Sequence, residues 1–352
     1  MTILAAAEML RQLREDMMKL NRRNFLRSAA AGGVTMLAAP AIVRAAGSEE
    51  EIRVGYLHTL AVDGHIWTAE QKGYWQEQGL KPTFTRFYTG LELFQAMVGG
   101  SLDMLATGAV VSNFPARGQG KVFLINNVEY ATAQLWVNPA MGVNSFEDLK
   151  GKQIATSIGT TAHVFLDTAL SANGIDPKSG VSIINQRMPD AVTAFISGAV
   201  PAVALWVPFN VQVKSQLQGA KMLVDASEFY PEAAIVGGWA ARNDYFDERK
   251  DVLERVIKAW LPANKDLIED ADATLAMLQK EKYADVPIED LREQYGAQKL
   301  FSAADWAKMY QDGTVATWLD RVTDFYVGIG GISDPVKAEG YFDPSLFLKQ
   351  AG

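Results

Sequence analysis

The chain has 352 residues, 49% hydrophobic and 21% charged, with no cysteine and three histidines. That mixture is globular, its length suits two domains, and the lack of cysteine excludes disulfide scaffolds, thiolate metal sites and thiol nucleophiles. The histidines form no H-E-x-x-H pattern, which argues against a zinc enzyme, and a formal charge of -8 argues against a nucleic-acid partner.

Near the N-terminus, Arg22-Arg23 is followed, one residue on, by the apolar pair Phe25-Leu26. An uncharged run rich in Ala and Gly covers 28–43, and the stretch ends Val43-Arg44-Ala45. This is the layout of an export signal, and the paired arginines point to the twin-arginine (Tat) route. The apolar run is too short and too rich in small residues for a strong membrane span. The other reading is an amphipathic helix that stays on the protein. Residues 1–16 read as an extension, with Met17 or Met18 as the expected start. Cleavage after Ala45 removes seven Lys/Arg and three Asp/Glu, leaving 26 basic and 38 acidic residues, a net of -12. Without a cysteine near the cut there is no lipid anchor. The expectation is an acidic, monomeric, periplasmic protein.

In the exported body, 52–56 alternates as a strand and leads into a loop over 57–64; a helix is expected over 65–72, stopped by Gly73. A second strand is expected over 80–87, a helix opening at Thr89-Gly90 and closing at Gly99-Gly100, and a third strand over 102–106 ending at Thr107-Gly108. A second series starts near residue 138. It has a short helix at 145–149, strands at 153–156, 181–185 and 202–206, and helices at 162–173 and 190–197. The order repeats the first series, and strands alternating with helices at this spacing predict βα units in two similar lobes. Beyond residue 245 the pattern turns helical, over 248–270, 273–281, 288–294 and 303–327. Trp260, Trp306 and Trp318 fall within it as packing residues.

Several segments, in this order, resemble the type II periplasmic solute-binding proteins of ABC importers, in the sulfonate/taurine/nitrate branch grouped with thiamine-pyrimidine synthases. They are Ile52-Arg53-Val54-Gly55-Tyr56, Trp67 to Trp75, Phe87-Tyr88-Thr89-Gly90, and Ser145 to Lys152 in the form S-x-x-D-L-x-G-K. Gly159-Thr160-Thr161-Ala162-His163, Arg187 to Ala191, Trp206-Val207-Pro208 and Trp239 to Arg242 continue the match, over roughly 50–250. The resemblance implies an α/β, two-lobed fold of mainly parallel sheets with helices on both faces. The first lobe would take 46–134 and 240–352, and the second 135–239. It implies capture of a small organic anion, sulfonate-like, for delivery to an ABC permease, with no cofactor. The alternatives are an enzyme of the synthase type, whose Cys-rich iron motif has no counterpart here, or a module that reports ligand to a receptor. One departure stands out: taurine-type relatives carry W-D-P where this chain has Trp206-Val207-Pro208, so a carboxylate for a ligand ammonium is missing there. Asp63 or Asp190 would have to supply it.

Ligands of open α/β lobes sit beyond the carboxyl ends of strands, where loops meet helix N-termini. The candidates are therefore His58, Thr59, Asp63 and His65; Thr89 and Gly90; Thr107 and Gly108; Thr160, Thr161 and His163; Arg187; Trp206 and Trp239. Threonines at helix starts either bind an anion or cap the helix. The histidines either touch ligand, His163 foremost, or make backbone bonds; their spacing gives no metal motif. Arg187 either forks onto an oxyanion or pairs with Asp190. Trp206 and Trp239 either wall the ligand or pack the hinge.

Overall fold

The structure, a computed structural model, describes residues 49–351. The expected export signal lies outside the described residues. The chain builds two five-stranded sheets. The first receives β1 (Glu50–Leu57), β2 (Leu80–Phe87), β3 (Met104–Thr107) and β4 (Lys121–Val128). The second takes the next five strands: β5 (Ala133–Val137), β6 (Gln153–Thr156), β7 (Ser182–Asn185), β8 (Ala202–Trp206) and β9 (Lys221–Asp225). Then β10 (Val236–Ala241) returns to the first sheet, giving the orders β2-β1-β3-β10-β4 and β7-β6-β8-β5-β9. In each sheet four strands run one way and one runs against them. The reversed strand is β10 in the first sheet and β5 in the second, each the strand that has just arrived from the other sheet. The chain therefore crosses twice, over 129–132 and 226–235.

Helices return the chain between parallel strands: α1 (Leu60–Gln71), α2 (Gly90–Val98), α3 (Thr161–Ala172), α4 (Met188–Ile196) and α5 (Phe209–Gln216). The C-terminal part is helical, with α6 (Lys250–Glu269), α7 (Ala271–Glu281), α8 (Ile288–Gly296), α9 (Ala303–Gln311) and α10 (Thr314–Gly328). Among the described residues no helix is long and apolar enough to cross a membrane.

Two sequence expectations are corrected. Helix α1 begins at Leu60, not at residue 65, because extended Thr59 (φ -140, ψ 139) starts it and Leu60, Val62, Asp63 and Ile66 are buried along its first turns. Asp63 thus belongs to a helix and not to a loop, and His65 lies in its second turn rather than at its start. The helix expected over 303–327 is two helices, since Gly313 turns left-handed (φ +81) and a side chain would resist that geometry. The sequence pattern also does not announce β4, β5, β9 or α5. β4 and β5 are buried along nearly their whole length, so no alternation of polar and apolar residues marks them.

Candidate functional site

The strand ends of both sheets converge on one narrow cavity, with about 30 Å3 accessible to the centre of a water-sized sphere, within about 430 Å3 of empty space that includes open solvent. The first sheet contributes Leu57 at the end of β1, Thr107 at the end of β3, and then Gly108 and Val110. Thr59, Ala61 and Val62 enter from the start of α1, and Gly90 from the first position of α2. The second sheet contributes Trp206 and Val207 from the end of β8, and Thr160 and Thr161 from the start of α3. The crossing between the sheets supplies Glu129 and Thr132. This is the carboxyl-end position that α/β lobes use for ligands. Helix N-termini from both sides, α2 and α3, open onto it, and their unpaired N–H groups favour a ligand acceptor or anion.

At the cavity, the Ala109 N–H, beyond β3, donates to Thr161 Oγ1 at the start of α3 at 3.1 Å; behind it, the Tyr326 hydroxyl of α10 donates to the Gly159 carbonyl at 3.1 Å. Outside the lining, Arg187 Nη2 lies 3.3 Å from Glu92 Oε1, and its guanidinium sits over the Tyr88 ring, 5.0 Å from the centroid.

The acidic residue of the cavity is Glu129. It is 6% exposed, and the Thr132 hydroxyl donates to its Oε2 at 3.0 Å. Burial pushes its carboxyl up to about 7, against hydrogen bonds from Thr132 and Thr161 that favour the charge. A Cβ on Gly108 would collide with Glu129 Oε1 and lie 2.7 Å from Thr161 Oγ1, so only glycine leaves this wall open. Thr107 Oγ1 is buried and has no hydrogen-bond partner. Among the described residues, no Lys, Arg or His lines the cavity, and no group of three or more His, Asp or Glu is placed to hold a metal ion.

Of the sequence candidates, Thr59, Gly90, Thr107, Gly108, Thr160, Thr161 and Trp206 come together on this cavity. The other candidates point elsewhere. Buried Asp63 accepts from Trp67 Nε1 (2.8 Å) and the Tyr283 hydroxyl and lies 2.7 Å from His58 Nδ1. Its carboxyl is pushed up by burial, against those hydrogen bonds. His58 stacks on Tyr283 at 4.6 Å, so this cluster ties α1 to the helical C-terminal part. His65 is buried against Trp260, ring centroids 4.9 Å apart, and its Nε2 is 3.0 Å from Asn264 Oδ1. Burial lowers its pKa to about 4. Thr89 caps α2: the Glu92 N–H donates to its Oγ1, and its own N–H donates to Glu92 Oε2, both at 3.2 Å.

His163 accepts the Gly159 N–H on Nδ1 at 3.1 Å and meets the Phe325 ring edge-on, and burial lowers its pKa to about 4. Arg187 pairs with Glu92 rather than Asp190. Trp239 is fully buried between Trp75 and Phe123, donating from Nε1 to Asn126 Oδ1 at 3.1 Å. None of the three histidines lines the cavity: His163 makes a backbone bond, the second of the two readings, and His58 and His65 are held by side chains.

Glu129 and Thr132 escaped the sequence argument because their segment carries no turn signal. A signal was present nonetheless. Glu129 is the one charge in the run 122–137, and a lone acid in so apolar a stretch is the pattern of a buried, purposeful carboxylate.

Comparison with known proteins places this geometry. A putative binding protein of Brucella abortus (strain 2308) is 27% identical over 302 residues, covering 84% of this chain and 91% of the relative. A putative aliphatic sulfonates-binding protein of Bacillus subtilis (strain 168) is 26% identical over 219 residues, 60% of this chain and 63% of the relative. Among solved structures, the alkanesulfonate-binding protein SsuA of Xanthomonas axonopodis pv. citri, bound to MOPS, superposes with a TM-score of 0.69. It has 18% identity and covers 84% of this chain and 99% of that one. That likeness establishes the two-lobed periplasmic-binding-protein fold. The NMT1/THI5-like family matches residues 64–274, and the chain belongs to that family.

Proposed function

We propose that the protein is the solute-binding component of an ABC importer, working in the periplasm after export by the Tat route. It closes two lobes on one small organic solute and presents the closed form to a permease. The first lobe is formed by the segments on either side of the two crossings, and the second by the segment between them. The observation that carries this reading is the single cavity bounded by strand ends and helix N-termini of both sheets, α2 from one and α3 from the other. Closure of such lobes needs only a ligand that binds the closed state better than the open one. The binding proteins among its relatives, including those named for sulfonates, favour the same reading. The N-termini of α2 and α3 suit a sulfonate, carboxylate or similar acceptor on the solute.

The test is a thermal-shift screen of the protein without residues 1–45, against sulfonates, sulfate, nitrate, carboxylates, amines and pyrimidines. A solute that binds only the folded state raises the unfolding midpoint as its concentration grows, by mass action. At least one class is expected to do so without being consumed. No shift from any class, or turnover of the solute that shifts it, contradicts the reading.

A further inference from the structure

The cavity pairs a buried carboxylate with no basic side chain, an odd endowment for a site that would hold a bare anion. Glu129 is 6% exposed, and one of its oxygens, Oε2, is already served by Thr132. The other, Oε1, lies on the wall formed by Gly108 and Thr161, where only the absence of a glycine Cβ leaves room. Two more buried polar atoms without a partner lie close by: the Thr107 hydroxyl on the cavity wall, which can donate or accept, and the acceptor Asn127 Oδ1 on β4, outside the lining. A Cβ on Gly237 would lie 2.6 Å from that Asn127 oxygen and 3.6 Å from Glu129 Oε1, which places the two acceptors around one point. Among the described residues, no Lys, Arg or His lines the cavity to neutralise this cluster, and the nearby Tyr326 is a buried phenol held protonated.

We infer that Glu129 sets the specificity of the cavity, selecting a solute that presents a nitrogen-borne N–H donor, an ammonium or amidinium, at the crossing end. A bare oxyanion is the solute it disfavours. This rests on the binding-protein reading and sharpens it: the helix N-termini take the acceptor end of the solute and Glu129 takes the donor end. A carboxylate and a nitrogen donor form a charge-assisted hydrogen bond, stronger than a neutral one. A solute without that donor leaves the buried carboxylate with only the Thr132 and Thr161 hydroxyls as partners, and an anion adds repulsion at low effective dielectric. Val207 denies a carboxylate at the position after Trp206, and Glu129 provides one from a different part of the chain.

The experiment titrates wild type and Glu129→Gln at pH 8, by calorimetry, with matched pairs of one size. The pairs are taurine against propanesulfonate, γ-aminobutyrate against pentanoate, and benzamidine against benzoate. In wild type the nitrogen-bearing member of the best pair is expected to bind at least about 10-fold tighter than its partner. Glu129→Gln is expected to weaken that member by about 10- to 100-fold while leaving its partner unchanged or improved. Gln is near-isosteric, and the midpoint of unfolding of each variant, measured alone, confirms that it is folded. If the bare anions bind wild type as tightly as the nitrogen-bearing members, or if Glu129→Gln leaves the ratio unchanged, the specificity inference is overturned while the binding-protein reading stands. If no probe and no solute from the wider screen binds wild type, the binding-protein reading falls and the inference falls with it.

Discussion

Thr132 donates its hydroxyl to Glu129 Oε2 across 3.0 Å, and both residues lie in the segment that carries the chain from the first sheet to the second. The Glu129 N–H in turn donates to the Ile235 carbonyl at 2.8 Å, in the segment that carries the chain back. The two crossings are thus tied together at the residue that faces the cavity. Whatever binds Glu129 acts on the segments that join the two sheets.

Glu129 also sets a pH signature in the free protein. Its carboxyl rises from 4.5 to about 7 on folding, so between those values the folded state holds a proton that the unfolded state has lost. Its contribution to stability is complete below about pH 4.5 and is lost as pH rises through 7, a loss of roughly 3 kcal/mol. His65 and His163 act with the opposite sign. Burial lowers both to about 4, so their contribution is present above about 6.5 and is lost as pH falls through 4. Denaturant unfolding between pH 4 and 8 separates them. Glu129→Gln should remove the decline toward pH 8 and leave the acid-side loss. A Glu129→Gln profile parallel to wild type would contradict the assignment.

Gly108→Ala tests how tightly the cavity wall is built. The new methyl meets the Glu129 carboxylate and Thr161 Oγ1, so one of them must move. Strain of about 1–3 kcal/mol is expected in the free protein, together with at least about 10-fold weaker binding of the solute found by screening. Unchanged affinity in the folded variant would mean that the solute does not reach this wall.

Arg187 is the sharpest departure from a binding role. Its side chain is 55% exposed, and its partner Glu92 is 37% exposed. Exposed pairs contribute about 0–1 kcal/mol. Arg187→Ala should therefore change solute affinity by less than about 5-fold, through a slightly weaker closed state and mostly in the dissociation rate. A loss of 100-fold would put the guanidinium on the solute itself.

His65→Ala should behave as a core mutation. It removes the stack on Trp260 and strands Asn264 Oδ1, at a cost of about 2–4 kcal/mol, with affinity unchanged once the protein is folded. Weaker binding at matched folded fraction would return His65 to the site.

How much of this was legible in the sequence follows from where each signal was local. Strands 80–87, 153–156 and 202–206 were read with the bounds they have, because turns and glycines frame them. Thr59, Gly90, Thr107, Thr161 and Trp206 were found by a positional rule, that ligands meet strand ends and helix starts, and the rule holds for the cavity. The same rule over-selected, because residues near a strand end face either side of it. Trp239 and His65 turn into the core of the first sheet and the helices behind it, where Asn126 and Asn264 take their polar atoms. Pairings across long separations were illegible. Nothing in local pattern announces that Arg187 meets Glu92, or that Tyr283, 220 positions away, hydrogen-bonds Asp63. Glu129 was hidden for a different reason: β4 and β5 are buried on both faces and carry no period, so the segment between them had no frame.

The most direct test of the account is a crystal structure of the protein with the solute that most raises its unfolding midpoint. The account places that solute between the starts of α2 and α3, its nitrogen against Glu129 and its acceptor end against the N-termini near Gly90 and Thr161. Density for the solute in the wide groove between α3 and α10, lined by Asp167, Glu232 and Arg321, with the cavity at Glu129 left to water, would contradict it.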